Sequence, residues 1–115
     1  MISTIAGQIR NPEIKREYMR KFLQQMKYKG TRRALLATVR DNAFYELKPV
    51  YERVGRCGKP GILFWGTADG GFKQHPLVQT AIPSIEFHAV KGAGHGSIIE
   101  APEAVNPLLI EFLKR

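Results

Sequence analysis

Gly61-Ile62-Leu63-Phe64-Trp65-Gly66-Thr67-Ala68-Asp69-Gly70-Gly71 is the stretch that decides how this chain folds. Four consecutive apolar residues between two glycines are too few for a helix and show no polar alternation. Residues 62–65 therefore read as a strand buried on both faces, the pattern of a parallel sheet. Downstream, residues 76–80 suggest a short helix, and residues 85–90 form a second strand with apolar Ile85, Phe87 and Ala89. Residues 102–113 read as a closing helix that packs Val105, Leu108, Leu109, Phe112 and Leu113. Pro107 either kinks that helix or marks, with Asn106, a later start. Strand, helix, strand, helix is a βαβ unit with two parallel strands and a right-handed crossover. Two parallel strands are too few to stand alone, so the first strand is expected to need a neighbour from outside this sequence.

Upstream the chain reads as helical. Asn11-Pro12-Glu13 is a helix start, with Asn as N-cap and Pro at the first helical position. Ile14, Tyr18, Phe22 and Met26 then recur every four residues beside Met19 and Leu23, and Gly30 is the expected stop. A second helix carries Leu35, Leu36 and Val39 and ends near Asp41-Asn42. A shorter helical or irregular stretch runs through Leu47, Val50, Tyr51 and Val54 before Gly55, Gly58 and Pro60 break the chain. The apolar stripes read as core or cap packing; a membrane-surface helix is the alternative. The division is residues 1–58 as a helical segment and residues 59–115 as the β-α-β-α portion.

The chain has 115 residues, 43% of them hydrophobic, which suits one small globular unit or a piece of a larger one. Its single cysteine, Cys57, excludes an internal disulfide and a multi-cysteine metal site. No apolar run approaches the ~18 residues needed to span a bilayer, and residues 1–10 lack a signal-peptide pattern, so a cytoplasmic location is expected. The net charge of +8 is uneven: residues 1–59 carry 14 Lys/Arg against 5 Asp/Glu, and residues 60–115 carry 4 against 5. Such asymmetry can mark a nucleic-acid surface, but these basic residues are scattered and not interleaved with stacking aromatics. A solvated helical face, or a surface that meets acidic protein, explains it better. Neither nucleic acid nor membrane is an expected partner.

Each strand is followed by a loop with one chemically able group: Gly66-Thr67-Ala68-Asp69-Gly70-Gly71 and Gly92-Ala93-Gly94-His95-Gly96. Ligand sites of open α/β sheets lie beyond the carboxyl ends of the strands, so Asp69 and His95 are predicted side by side. A carboxylate that accepts the Nδ1 proton fixes the imidazole tautomer and frees Nε2 to act as a general base. Taken singly, Asp69 could be a turn former and His95 an exposed loop residue. The joint arrangement is the more specific signal. His88 lies within a strand and reads as structural, and His75, before Pro76, as exposed. No ligand spacing for a metal joins these histidines to an aspartate, and neither metal nor cofactor is expected.

Ile62 to Asp69 resembles the penultimate strand and acid loop of α/β-hydrolases, and Phe87-His88-Ala89-Val90-Lys91-Gly92-Ala93-Gly94-His95 their last strand and histidine loop. Residues 102–113 resemble their closing helix and residues 1–58, more loosely, the end of the helical cap. The resemblance implies an α/β class chain with a partial α/β-hydrolase fold: N-terminal helices, then a β-α-β-α unit with two parallel strands. It implies Asp69 as triad acid and His95 as general base toward an ester or similar small apolar substrate, with either a serine or an aspartate nucleophile.

The chain departs from that family in two ways. It has no G-x-S-x-G nucleophile elbow, and with it the oxyanion hole is missing. Its serines are Ser3, Ser84 and Ser97, of which Ser97 follows His95 closely but lacks the elbow glycines; Cys57 precedes its strand. Gly70-Gly71-Phe72-Lys73 also replaces the Val-Pro-like stretch usual after the acid. The expectation is a C-terminal hydrolase fragment, inactive by itself, that pairs with a missing N-terminal half or forms a homo-oligomer. The alternative is a non-catalytic truncated or diverged chain that acts as a protein-interaction module through its sheet edge.

Overall fold

The computed structural model describes residues 9–40 and 47–115. Helix α1 (Pro12–Gln25) starts where the capping signal places it: Asn11 Oδ1 accepts from the amides of Glu13 and Ile14 at 3.0 and 3.2 Å. It ends five residues before Gly30. Two tight turns, Lys27 N to Gln24 O and Tyr28 N to Gln25 O, follow it. Gly30, at φ +93°, instead opens α2 (Thr31–Arg40) by accepting from the Ala34 amide. Asp41 and Asn42, expected near the end of α2, lie outside the described residues. The uncertain third stretch is helix α3 (Lys48–Arg56).

Gly55 does not break the chain but sits inside α3. A Cβ there would overlap the Ala81 carbonyl oxygen, so the glycine lets α3 lie against the end of α4 (His75–Ala81). Position, not helix propensity, explains this residue.

Strand β1 (Gly61–Gly66) pairs in parallel with β2 (Ile85–Val90), with Leu63 opposite Phe87 and Trp65 opposite Ala89. Side chains alternate between faces. On one face, Phe87 stacks on His75 at 4.5 Å between ring centres and lies near Phe72, from the 3-10 turn Phe72–Gln74 that leads into α4. His75 is thus partly buried, not exposed as expected. On the other face Phe64 stacks on His88 at 5.4 Å, and Phe64 and Val90 pack toward Val105 of the closing helix α6 (Pro102–Leu113). A one-turn helix α5 (Ser97–Glu100) precedes it. Pro107 does not delay the start of α6, which runs through it from Pro102.

The chain is a small α/β unit, and Val105, wholly buried, is the centre of a slight core with Val90 and Ala93. The expectation that residues 62–65 are buried on both faces is not met: Ile62, Leu63, Phe64 and Trp65 are all partly exposed. Among the described residues β1 has one strand neighbour, so one edge and parts of both faces remain uncovered.

Candidate functional site

The two loops beyond the carboxyl ends of β1 and β2 are laced together by backbone. Thr67 N donates to Val90 O at 3.0 Å and Ala68 N to Ala93 O at 2.9 Å, while the Thr67 hydroxyl accepts from Gly92 N at 2.9 Å. Gly66 permits the crossing, because a Cβ there would overlap the carbonyl oxygens of Ala93 and Gly94. Gly92, at φ +75°, turns the second loop back in a conformation that side-chain-bearing residues seldom adopt.

This lacing brings together the two residues that the sequence placed side by side. His95 Nδ1 lies 3.0 Å from Asp69 Oδ2. The acid is nearly enclosed, its side chain 6% exposed, whereas the histidine is 58% exposed. Asp69 has two further donors: Trp65 Nε1–H to Oδ2 at 2.9 Å and Gly71 N–H to Oδ1 at 2.9 Å. Burial works against its ionisation, but the Gly71 amide, His95 and Trp65 together outweigh it and hold the carboxyl below its ordinary range. The Gly71 amide reaches the carboxylate, and a Cβ on Gly71 would stand 3.2 Å from the Trp65 ring.

An ionised Asp69 can only accept, so it selects the tautomer with the proton on Nδ1 and leaves Nε2 of the exposed ring as a free base. The pair can take a proton from a hydroxyl or water brought to Nε2 and return it to a leaving group. The other histidines stand apart: His88 Nε2 pairs with Glu86 Oε1 at 2.8 Å, and His75 Nδ1 faces Phe72 O at 2.7 Å. Ser97 is buried at the first position of α5, and Cys57 is exposed beyond α3. No cluster of three His, Cys, Asp or Glu able to hold a metal occurs among the described residues.

Two residues at this site carried no sequence signal. Trp65 reads as one of four apolar strand residues, yet its indole N–H ties it to Asp69. Glu100 is the other: Oε1 accepts from the Gly94 amide at 3.1 Å and Oε2 from the Arg10 amide at 2.6 Å. It thereby links the histidine loop to the start of α1. Among the described residues no helix is long and apolar enough to cross a membrane. Compared with protein-family models, curated proteins and solved structures, the chain finds no match.

Proposed function

We propose that this chain supplies the acid and the general base of an α/β-hydrolase catalytic triad, Asp69 orienting His95, and that another polypeptide segment supplies the nucleophile. The observation that carries this reading is the 3.0 Å contact between an enclosed carboxylate and an exposed imidazole beyond two adjacent parallel strands. His95 would activate a serine hydroxyl, or a water attacking an ester formed on an aspartate nucleophile, while Asp69 stabilises the imidazolium. The substrate class is an ester or similar small apolar molecule. The chain alone would be inactive, because it has no elbow and no oxyanion donors in the family arrangement.

The test begins with the coding DNA upstream of Met1, read in all three frames for a strand–nucleophile–helix sequence. The polypeptide it encodes is then expressed with this chain, and turnover of p-nitrophenyl butyrate is followed. Turnover that falls to background in His95→Ala, and by about 10⁴-fold in Asp69→Asn, supports the assignment. Absence of any such reading frame, or turnover indifferent to His95→Ala, refutes it.

A further inference from the structure

The His95 ring is exposed, and among the described residues its one hydrogen bond goes to Asp69, so the backbone that carries it largely sets its place. One residue holds that backbone on both sides. Glu100, at the end of α5, donates its amide to Gly96 O at 2.9 Å, just after the histidine. Its side chain folds back, and Oε1 accepts at 3.1 Å from the amide of Gly94, just before the histidine. Gly94 is buried, and a buried amide needs a partner. The peptide group between Ala93 and Gly94 is thereby clamped at both ends, because Ala93 O accepts from Ala68 N of the acid loop at 2.9 Å. The other carboxylate oxygen, Oε2, accepts from the amides of Arg10 and Asn11 at 2.6 and 3.3 Å, where α1 begins. Gly96 leaves room for this fold-back: a Cβ there would stand 3.5 Å from Oε1 and 3.1 Å from Ile99 Cγ1.

We propose that Glu100 is a positioning residue for His95: it fixes the backbone on both sides of the histidine and makes the geometry of the Asp69–His95 pair depend on the start of α1 being seated on its carboxylate. A carboxylate suits this task because its three partners are all donors, and two accepting oxygens serve both ends at once. Glutamine has one such oxygen, and its NH₂ would face either the Gly94 amide or the amides of Arg10 and Asn11. The pair it positions tolerates little movement, since a hydrogen bond weakens steeply as its angle closes. Misplacing a reacting group by about 1 Å can cost on the order of 10²-fold in rate. That this positioning serves catalysis rests on the hydrolase reading; the positioning itself does not.

The readout is the His95 ring in the full chain, whose nitrogen chemical shifts by NMR report which ring nitrogen carries the proton. At alkaline pH, where an imidazole is neutral, the wild-type ring is expected to keep its proton on Nδ1, facing Asp69. In Glu100→Gln that share should fall by at least about twofold, whichever way the amide turns, because one end of the link is lost. If this variant does not fold, Glu100→Asp, one carbon shorter, makes the same test. Arg10→Pro removes the donor at 2.6 Å and should move the ring signals the same way, while adding nothing further to Glu100→Gln. Should Arg10→Pro not fold, Asn11→Ala loosens the same end of α1. Gly55→Ala, which disturbs the chain between α3 and α4, should leave the ring unchanged. A ring indifferent to Glu100→Gln while the melting temperature falls, or one that responds equally to Gly55→Ala, overturns the proposal. So does a ring that answers to Glu100→Gln but not to the changes at Arg10 and Asn11. With a segment that supplies the nucleophile, Glu100→Gln should lower kcat about tenfold and leave KM within about twofold. Turnover absent while the ring still responds would sink the hydrolase reading and leave the role of Glu100 standing.

Discussion

Replacing Asp69 by Asn keeps the shape of the side chain and reverses the polarity of one of its two ends. The carboxylate accepts from Gly71, Trp65 and His95, whereas an amide has one oxygen for them. If that oxygen stays with Gly71, the amide NH₂ faces the Trp65 and His95 donors. A hydrogen bond to a charged, enclosed acceptor contributes roughly 1.5–3 kcal/mol. The exposed His95 bond adds little, and relief of burying a charge offsets part of the loss. The net cost to folding is expected to be about 2 kcal/mol. Against a total of order 5–15 kcal/mol for a domain of this size, that is readily measured. Urea denaturation suits it, because Trp65 is the only tryptophan and itself touches Asp69, so its fluorescence reports the contact. With a urea slope of about 1–3 kcal/mol per molar, the midpoint should fall by roughly 1 M.

The sign with pH follows from the lowered folded-state pKa. The stability Asp69 contributes is fully present above its ordinary value of 3.8 and is lost as pH falls through the lower folded-state value. Wild type and Asp69→Asn should therefore differ at neutral pH and converge in strong acid. A midpoint unchanged to within about 0.2 M at pH 7, or a difference that grows in acid, would refute the account of Asp69 as an ionised, enclosed acceptor.

Gly66→Ala should destabilise by about 2 kcal/mol or more, because its Cβ meets two carbonyl oxygens; thermal melting checks the cost, and the His95 imidazole signals check whether the loops part. Gly55→Ala is expected to lower the melting temperature even though alanine is the better helix former by ~1 kcal/mol, and a rise would mean that α3 does not lie against Ala81. Asn11→Ala should cost about 1 kcal/mol in a denaturation titration, with Asn11→Gly nearer wild type, as a lost N-cap requires. Val105→Ala should cost about 2 kcal/mol for two buried carbons and a cavity beside Val90, and an unchanged melting curve would mean the core lies elsewhere.

The parallel pair and the meeting of Asp69 with His95 were legible because they depend on local signals. A short apolar run between glycines marks β1 and apolar Ile85, Phe87 and Ala89 mark β2, and the loops that follow two parallel strands must emerge at the same end of the sheet. The start of α1 was equally legible, since a cap is made by three adjacent residues. Its end was not: Gly30 is a reasonable stop, but two tight turns close the helix earlier and leave that glycine to open α2. Gly55 was misread for a different reason. Its role is set by the Ala81 carbonyl, 26 residues away, and a glycine that admits a close approach looks the same in sequence as one that ends a helix.

Sequence by itself determined the start of α1, the two strands and their parallel pairing, the closing helix, and the two loops that carry Asp69 and His95, because those follow from periodicity, capping and strand polarity within a few neighbours. Only the tertiary structure decided that Trp65 and Gly71 help hold the acid ionised, and that Glu100 ties the histidine loop to the start of α1. Each depends on which atoms of distant segments come within about 3 Å, a distance that hydrogen bonding requires and linear spacing does not encode.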